Sequence, residues 1–518
     1  MEQSWQLAQR SALAPHERSD RLFFFKEELP EQSRNLSRRY APVEKLGPVR
    51  VQDDGFSVAT FCGTIVPADD GTLRMYATAR SRGLMRVVLL LSADGLTWTA
   101  PDLGQETRSG LPSNAIVFDG APNSPVGAAP EITTPDGRTI TGEPARTRHD
   151  QVGQPQVVRL QDGRWRMYYW HHQHGWGRVP YLYTIAESDD GIRWRVPDYG
   201  SPALNAHWCG DGSQLEEAQR LAELSRRTND AVYVYRNPWT GVWELYSQWF
   251  VDSHPDRAVP EDNCPAFNRM IQRRTSADGK TWNLPELVIQ ADDRDPWDLQ
   301  FYHLSVQYHE DWMIGSLGHY RVEDGQQTMD LELVFSRDGR SWHRPLRGGF
   351  IPREPGAPDG EGIYPPNAWI DEGESWLCLY TGTGRKHNRH DDESRPAAAT
   401  YAARFAKHRL AGLDAGSAGG GFMSDVFYPR GEEIRLDADV RGSLRAELCD
   451  AWGRKIRGCH LMDSVPVCGD SGGHVLRWAD VSTAAFRYEP VRLRLEFADA
   501  TVYGIVLGER AAGSTFGP

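Results

Sequence analysis

One seven-residue motif, Ser-x-Asp-Gly-x-x-Trp, recurs along the chain and constrains the fold more than any other feature. Its four copies occupy Ser92–Trp98, Ser188–Trp194, Ser276–Trp282 and Ser336–Trp342. Asp-Gly supplies the positive φ angles of a tight turn, and the Ser and Asp side chains can bond to the local backbone. The tryptophans are 96, 88 and 60 residues apart, which fits repeated units with loops of different length. The motif therefore predicts structural turns in a repeated β unit rather than ligand-binding acids.

A second repeated pattern comes before each motif. It consists of a short apolar strand, a turn and an aromatic or aliphatic strand, and its later part falls at residues 69–76, 162–169, 237–246, 309–315 and 371–380. Five units can be counted, and the fifth lacks the motif. Short strands with turn signals at this rhythm are typical of all-β folds built from blades. The sequence therefore predicts an all-β chain with a five-bladed β-propeller over residues 51–416.

The flanking segments have a different texture. Residues 417–421 are small and Gly-rich, as in a linker, and strict alternation of apolar residues follows, for example in Val491–Phe497. These features predict a C-terminal β-sandwich over residues 417–518. Residues 1–50 are polar and irregular and are predicted to form an arm that wraps the propeller or closes its ring. A one-sided apolar pattern at residues 212–226 predicts a helix inserted before the third unit.

Composition and charge exclude several functions. The net charge of −13 argues against a nucleic-acid partner, because phosphate binding needs a basic surface. There is no apolar run long enough for a membrane span, and the N-terminus lacks the pattern of a secretory signal, so a cytoplasmic location is expected. The seven cysteines show no zinc spacing and are expected to be reduced thiols, with a Cys459–Cys468 bridge as the alternative.

The candidate chemistry lies just ahead of the innermost strand of each blade. In a propeller these positions converge on one central funnel, and acids recur there at Asp150, Asp230, Asp298 and the pair Asp359 and Glu361. Crowded carboxylates suit glycoside cleavage, in which one acid is protonated and another is ionised. Mutual repulsion and burial separate their pKa values and create the two roles.

Roles for these residues follow from repeat position. Asp230 and Asp298 are predicted as the ionised pair, acting as nucleophile, base or stabiliser, and Glu361 as the general acid with Asp359 as its alternate. The predicted substrate-binding residues are His149, Asp150, Trp176, Trp208, Tyr302, His303, Tyr364, Arg385 and His387. Among them, Trp176, Trp208 and Tyr302 are candidate sugar platforms, Arg385 and His387 suit an anionic group, and His149 and Asp150 position substrate or a central ion. No cofactor is required by this interpretation, and a central metal ion such as calcium is compatible with it.

The five units, their turns, the acids ahead of inner strands and the C-terminal sandwich resemble the five-bladed propeller glycoside hydrolases. These are the fructosidase and arabinanase group of families 32, 43 and 68, of which the chain resembles an uncharacterised branch. It departs from family 32 in two places. Thr60–Thr64 carries no acid, although that family has its nucleophile motif there, and Arg294-Asp295-Pro296 lies in the fourth unit, whereas the family's Arg-Asp-Pro motif comes early in the ring. The family's Glu-Cys acid motif is also absent from the sequence.

The resemblance implies a glycoside hydrolase-like enzyme acting on a small carbohydrate or glycosylated metabolite. Because one standard acid is missing, a phosphorylase, lyase or cyclase on the same scaffold is a second hypothesis. A carbohydrate-binding propeller without catalysis is the third, since fold alone does not fix function.

Overall fold

A computed structural model gives the structure of part of the chain. It describes residues 19–52, 57–68, 70–81, 84–103, 114–116, 118–119, 131–133, 139–141, 152–171, 181–197, 204–206, 231–253, 262, 267–322, 327–387, 389 and 392–508. Over these ranges the chain forms β-strands, with one 3₁₀ turn at Thr483–Phe486, so the predicted all-β class is confirmed. Among these residues no helix is long and apolar enough to cross a membrane. The helix predicted at residues 212–226 lies outside the described residues.

Three sheets correspond to the first three repeat units. Sheet I has the order β5 (Arg50–Gln52), β9 (Thr97–Thr99), β8 (Leu84–Ser92), β7 (Leu73–Ser81) and β6 (Ser57–Pro67). Sheet II has the order β10 (Phe118–Asp119), β16 (Trp194–Arg195), β15 (Tyr181–Ser188), β14 (Trp165–His171) and β13 (Val152–Arg159), with β17 (Leu204–Ala206) on β15. Sheet III has the order β18 (Tyr233–Arg236), β19 (Trp243–Asp252), β20 (Phe267–Ser276) and β21 (Glu286–Ile289). A separate hairpin pairs β11 (Glu131–Thr133) with β12 (Thr139–Thr141).

Two larger sheets complete the described fold. Sheet IV spans units four and five in the order β22 (Gln300–His309), β23 (Trp312–Arg321), β24 (Thr328–Ser336), β25 (Gly362–Tyr364), β27 (Ser375–Thr383), β28 (Ala399–Ala406) and β4 (Glu44–Pro48), with β26 (Ile370–Asp371) on β27. Sheet V has the order β2 (Glu31–Arg34), β30 (Gly420–Met423), β33 (Val491–Val506), β29 (Ala411–Ala415) and β3 (Ser37–Tyr40). In sheet V, β1 (Arg21–Phe23) and β31 (Arg435–Asp450) also pair with β33, and β32 (Val467–Val475) pairs with β31.

The Ser-x-Asp-Gly motifs form tight turns through side chain to backbone hydrogen bonds. In the second unit, Oδ1 of Asp190 accepts hydrogen bonds from the backbone N–H groups of Ile192 and Arg193, both at 2.8 Å. The indole N–H of Trp194 donates to the carbonyl of Gly191 at 3.2 Å. The turn therefore locks itself, and the tryptophan becomes almost fully buried.

Each of these turns also packs against a strand of the preceding unit. The hydroxyl of Tyr76 in sheet I donates to the carbonyl of Gly191, and that of Tyr168 in sheet II donates to the carbonyl of Gly279, both at 2.6 Å. Gly339 in sheet IV lies against the hydroxyl of Tyr246 in sheet III. Gly95 of the first unit lies against Leu377 and Ile370 of sheet IV. The contacts between units therefore run in a cycle from sheet I through sheet IV and back to sheet I.

The N-terminal segment joins several sheets. Strands β1, β2 and β3 belong to sheet V, β4 pairs with β28 in sheet IV, and β5 runs parallel to β9 in sheet I. The core of sheet V is apolar and includes Leu413, Leu436, Leu448, Leu493 and Phe497. The segment thereby ties sheet V to sheets I and IV. The proposed domain boundaries at residues 50 and 416 remain predictions.

Among the cysteines in the described ranges, Cys378, Cys449, Cys459 and Cys468 are free thiols. Cys378, Cys449 and Cys459 are buried, whereas Cys468 is exposed. Burial raises the pKa of the Cys459 thiol to about 11, which keeps it protonated at neutral pH. The alternative of a Cys459–Cys468 bridge is therefore not formed here.

Candidate functional site

Residues at the start of inner strands from different sheets converge in one buried cluster, which we call the convergent cluster. It contains Ala231, Tyr233, Tyr302, Tyr320, Val322, Met329 and Tyr364. Ala231 stands just before β18 of sheet III, whereas Tyr302 and Tyr364 lie on β22 and β25 of sheet IV. Residues from three repeat units therefore meet in one buried cluster.

Gln154 connects sheets I and II to the convergent cluster. Its side-chain oxygen accepts hydrogen bonds from the hydroxyl of Tyr183 and from the backbone N–H of Ala231, both at 3.0 Å. The backbone N–H of Gln154 donates to Oγ1 of Thr78 on β7 at 2.8 Å. Gln154 and Ala231 both have positive φ angles, 50° and 61°. That conformation is uncommon for residues with a Cβ, and such strain concentrates at functional sites.

Four of the predicted substrate-binding residues come together beside this cluster. The hydroxyl of Tyr364 lies 2.9 Å from Nδ1 of His387. The His387 ring is 4.9 Å from that of Tyr302, and the His303 ring is 4.5 Å from Tyr302 and 5.8 Å from Tyr364. Burial, with a smaller contribution from His387, holds the pKa of His303 well below its usual value. His303 is therefore neutral at pH 7. The four residues are almost fully buried and form a compact group of rings, which we call the aromatic and imidazole group.

The ion pair between Arg269 and Asp262, which the sequence did not predict, supports the aromatic and imidazole group. Arg269 on β20 makes a two-pronged ion pair with Asp262, both contacts being 2.9 Å, and both side chains are buried. Its guanidinium lies over the rings of Tyr302 and Tyr320 at 5.4 and 4.9 Å from their centres, in cation–π geometry. Gln300 donates to Oδ2 of Asp262 at 2.8 Å. The signal that could have found Arg269 is a charged residue at a buried position of a β-strand.

The two predicted aspartates on sheet IV are engaged by protein groups. Asp298 is buried; its Oδ1 accepts from Nε of Arg321 at 2.8 Å and its Oδ2 from the N–H of Val322 at 3.0 Å. Asp359 is also buried, and its Oδ2 is 2.8 Å from the Tyr380 hydroxyl and 2.7 Å from Nζ of Lys45. Both carboxylates therefore hold neighbouring side chains in position.

Glu361 has a different environment, since its side chain is 17% exposed and lines a cavity of about 340 Å³. Gly384, Lys386, Arg389, Asp392 and Arg395 line the same cavity. Arg395 lies 3.9 Å from Oε1 of Glu361. Arg385, another of the predicted binding residues, donates from Nε to the carbonyl of Arg395 at 3.0 Å and so braces the cavity wall. Three cationic side chains and two carboxylates therefore line this cavity, and the cations can receive an anionic group.

The remaining predicted site residues lie outside the described residues. They are His149, Asp150, Trp176, Trp208 and Asp230, and their roles stay predictions. The central metal ion also stays a prediction. In the described part of the chain, the group with metal-ligand geometry consists of His309, Glu310 and His408, away from the convergent cluster.

Comparisons with known proteins give remote likenesses of structure. No protein-family model matches the chain, and no curated protein matches it. A glycosyl hydrolase from Bacteroides ovatus aligns at 10% identity and a TM-score of 0.44, covering 75% of this chain and 98% of the other. An N-acetylgalactosamine deacetylase from F. plautii aligns at 15% identity and a TM-score of 0.42, covering 73% and 97%. A β-1,2-mannobiose phosphorylase from Listeria innocua aligns at 10% identity and a TM-score of 0.41, covering 71% and 97%. At these TM-scores the likenesses carry no weight for the chemistry of this chain.

Proposed function

We propose that the chain is a carbohydrate-active enzyme that cleaves a glycosidic bond of a small carbohydrate or glycosylated metabolite. We further propose a five-bladed β-propeller over residues 51–416 and a β-sandwich over residues 417–518, as an uncharacterised branch of the group of families 32, 43 and 68. The observation that supports the proposal is the convergence of Gln154, Ala231, Tyr302 and Tyr364 from three sheets. Ligand-binding sites form where side chains from several elements converge, so this convergence marks the proposed binding site.

Glu361 is the proposed proton donor to the leaving oxygen, because its carboxyl faces a cavity. Asp359 is the weaker candidate, since Tyr380 and Lys45 occupy its carboxylate. Asp298 is proposed as the stabilising carboxylate, and it holds Arg321 through an ion pair at 2.7 Å. Asp230, the residue before Ala231, is the proposed nucleophile or base. These assignments divide the acids between one that exchanges a proton and others that keep their charge.

The aromatic and imidazole group is the proposed binding site for the sugar. The His387 and Tyr364 pair offers hydrogen-bonding atoms in a fixed geometry for sugar hydroxyls. The rings of Tyr302 and Tyr320 are braced by Arg269 and hold that geometry. Because these side chains are already held in place, they lose little conformational entropy when a sugar binds.

Phosphorolysis is the second candidate reaction. Lys386, Arg389 and Arg395 line the cavity beside Glu361, and their positive charges suit inorganic phosphate as the attacking group. In that reaction phosphate oxygen forms the new bond to the anomeric carbon, and the glycosidic oxygen leaves with the proton donated by the acid. Hydrolysis and phosphorolysis then differ in the product, a free sugar or a sugar phosphate.

The test measures bond cleavage by the purified full chain on chromogenic glycosides and small oligosaccharides, with and without phosphate. Asp230→Asn, Asp298→Asn and Glu361→Gln are expected to lower turnover at least ~100-fold, in the range typical of lost acid–base catalysis. Glu372→Gln is the matched control, because Glu372 also lies in the fifth unit but pairs with Arg404 on an exposed edge. Wild-type turnover in all three variants, or no cleavage of any glycoside, would overturn the proposal.

A further inference from the structure

His309, Glu310 and His408 form a compact group away from the convergent cluster. One ligand atom from each lies within 4.8 Å of the others. Nε2 of His309 and Nδ1 of His408 are 3.2 Å apart. Two imidazole nitrogens bound to one tetrahedral zinc ion are separated by about 3.3 Å, given zinc to nitrogen distances of about 2.05 Å. The two histidines therefore already stand at the spacing of a shared metal ion.

The turn that carries Glu310 departs from the rule of its own repeat. The equivalent turns of the other four units contain glycines with positive φ, namely Gly71, Gly163, Gly241 and Gly373. The fourth unit has Glu310 at a φ of 54° in this turn. A glutamate in that conformation is strained, whereas glycine is not. The strained backbone therefore occurs at Glu310, the residue whose carboxylate lies beside the two histidines.

The surrounding side chains hold the two imidazoles in place. The ring of Trp376 lies 5.7 Å from that of His309 at 86°, and the ring of Phe23 lies 5.9 Å from it. Oε2 of Glu310 accepts the backbone N–H of Asp20 at 3.0 Å. Such outer contacts orient metal ligands in characterised sites.

One side of the group opens on a cavity of about 540 Å³ that Glu310 and His408 line together with Asp20, Glu432 and Glu433. The cations nearby are paired with acids: Arg21 with Asp437 at 3.0 Å and Lys407 with Asp371 at 2.5 Å. Arg21 and Arg435 also line the cavity, and Asp20 and Glu433 are themselves paired, with Arg430 at 3.4 Å and with Arg435 at 2.8 Å. A divalent ion would therefore meet acids and bases that are largely paired with each other, and Glu310 supplies the carboxylate of the group itself. Three protein ligands and one open position match the common arrangement of zinc sites that keep a water ligand.

We propose that His309, Glu310 and His408 bind a divalent transition-metal ion, with zinc as the representative. The ion would replace the proton shared by the two imidazoles, because a metal ligand must present a lone pair. It would connect the β22–β23 turn, the segment between β28 and β29, and the N-terminal segment, whose Asp20 carbonyl accepts the N–H of Leu507 beyond β33 at 2.8 Å. The site is a clamp between sheets IV and V, and it does not depend on the proposed glycoside chemistry.

The test is calorimetric titration of zinc sulfate into untagged full-length protein that has been treated with a chelator. One-to-one binding is expected in the wild type, together with a rise in the thermal unfolding midpoint. His309→Gln, Glu310→Gln and His408→Gln should each weaken zinc binding at least ~100-fold. His474→Gln is the control, because His474 is a half-buried histidine of sheet V that bonds the carbonyl of Ala438; it should bind zinc as the wild type does.

Glu310→Gln guards against loss of folding, since glutamine keeps an oxygen for the N–H of Asp20. Circular dichroism of each variant checks that the β structure is retained, and Co²⁺ absorption reports nitrogen ligands directly. Absence of one-to-one zinc binding in the wild type would overturn the proposal. Zinc binding that is unchanged in all three ligand variants, or calcium binding in preference to zinc, would overturn it equally.

Discussion

The hydroxyl of Tyr364 and Nδ1 of His387 lie 2.9 Å apart, and this contact links β25 to the segment that follows β27. The backbone N–H of His387 donates to the carbonyl of Gln327 at 2.8 Å, which fixes the residue from a third segment. His387 is therefore held at both its backbone and its ring. A ring held in this way keeps one orientation, as a residue that positions a substrate requires.

Tyr364→Phe removes the hydroxyl that orients His387 and leaves the aromatic packing unchanged. We expect kcat/KM for the cleaved glycoside to fall about fivefold, since a lost hydrogen bond costs about 1 kcal/mol and 1.4 kcal/mol equals a factor of ten. The thermal unfolding midpoint should stay within a few degrees. Tyr428→Phe serves as the control, because Tyr428 is half exposed on the sheet V side of the molecule. Equal kcat/KM for Tyr364→Phe and the wild type would remove His387 orientation from the proposal.

The sequence motif at the turns makes a second prediction about how the units hold together. A Cβ at Gly191 would lie 2.6 Å from Arg74 and 2.8 Å from the Tyr76 hydroxyl, whereas a Cβ at Gly71 would meet nothing within 4 Å. Both glycines have positive φ, 73° and 82°, so alanine brings similar backbone strain to each. Gly191→Ala should therefore lower stability by about 1–2 kcal/mol more than Gly71→Ala.

Thermal unfolding of the two variants, measured side by side, checks this difference. The contact lies between sheets I and II, so Gly191→Ala should also loosen the neighbouring unit. If the two substitutions lower the unfolding midpoint equally, the turn motif does not stabilise the contact between units.

Burial of His303 predicts a dependence of stability on pH. Its folded-state pKa is held well below the usual value of about 6.5, so the unfolded chain takes up a proton below that pH while the folded chain does not. The stabilising contribution is complete above about pH 6.5 and is lost as the pH falls, at up to about 1.4 kcal/mol per pH unit. His303→Gln should therefore lose less stability between pH 7.5 and 5.5 than the wild type does.

The comparison uses the unfolding midpoint at both pH values. A variant at position 303 that keeps the full pH dependence would show that another group titrates.

The repeated units of strand and turn could be predicted because local side chains specify the turns. The Asp-Gly turns lock themselves through their own side chains, as Asp190 does, so a seven-residue window suffices to find them. The proximity of Tyr302, His303 and Tyr364 could also be expected, because they follow the starts of inner strands in neighbouring units, whereas His387 lies after β27. These parts depend on neighbours in sequence or on the repeat itself.

Other features could not be predicted because distant segments specify them. Arg269 reads as an ordinary strand residue until Asp262 and the rings of Tyr302 and Tyr320 are seen around it. The occupied carboxylate of Asp359 depends on Lys45, more than 300 residues earlier in the chain. Pairing of β4 with β28 has the same origin, since no local pattern in Glu44–Pro48 names its partner.

The cationic cavity beside Glu361 gives the last prediction, which concerns phosphate. Arg395 is half exposed and lies 3.9 Å from Glu361, so its guanidinium is free to turn towards a bound anion. Arg395→Gln removes one of three positive charges from the cavity and should raise the dissociation constant for inorganic phosphate at least about tenfold. Phosphorus NMR or calorimetric titration at low ionic strength measures this without any need for turnover, because salt screens exposed charges.

Arg404→Gln is the matched control, since Arg404 is also a partly exposed arginine of the fifth unit but pairs with Glu372 outside the cavity. Its phosphate affinity should equal that of the wild type. If phosphate binds the wild type and Arg395→Gln equally well, the anion lies elsewhere, and the cavity then favours hydrolysis over phosphorolysis. If Arg395→Gln weakens phosphate binding and Arg404→Gln does not, phosphate binds in the same cavity as the proposed proton donor Glu361. Phosphorolysis requires this, because the phosphate and the acid act on the same glycosidic bond.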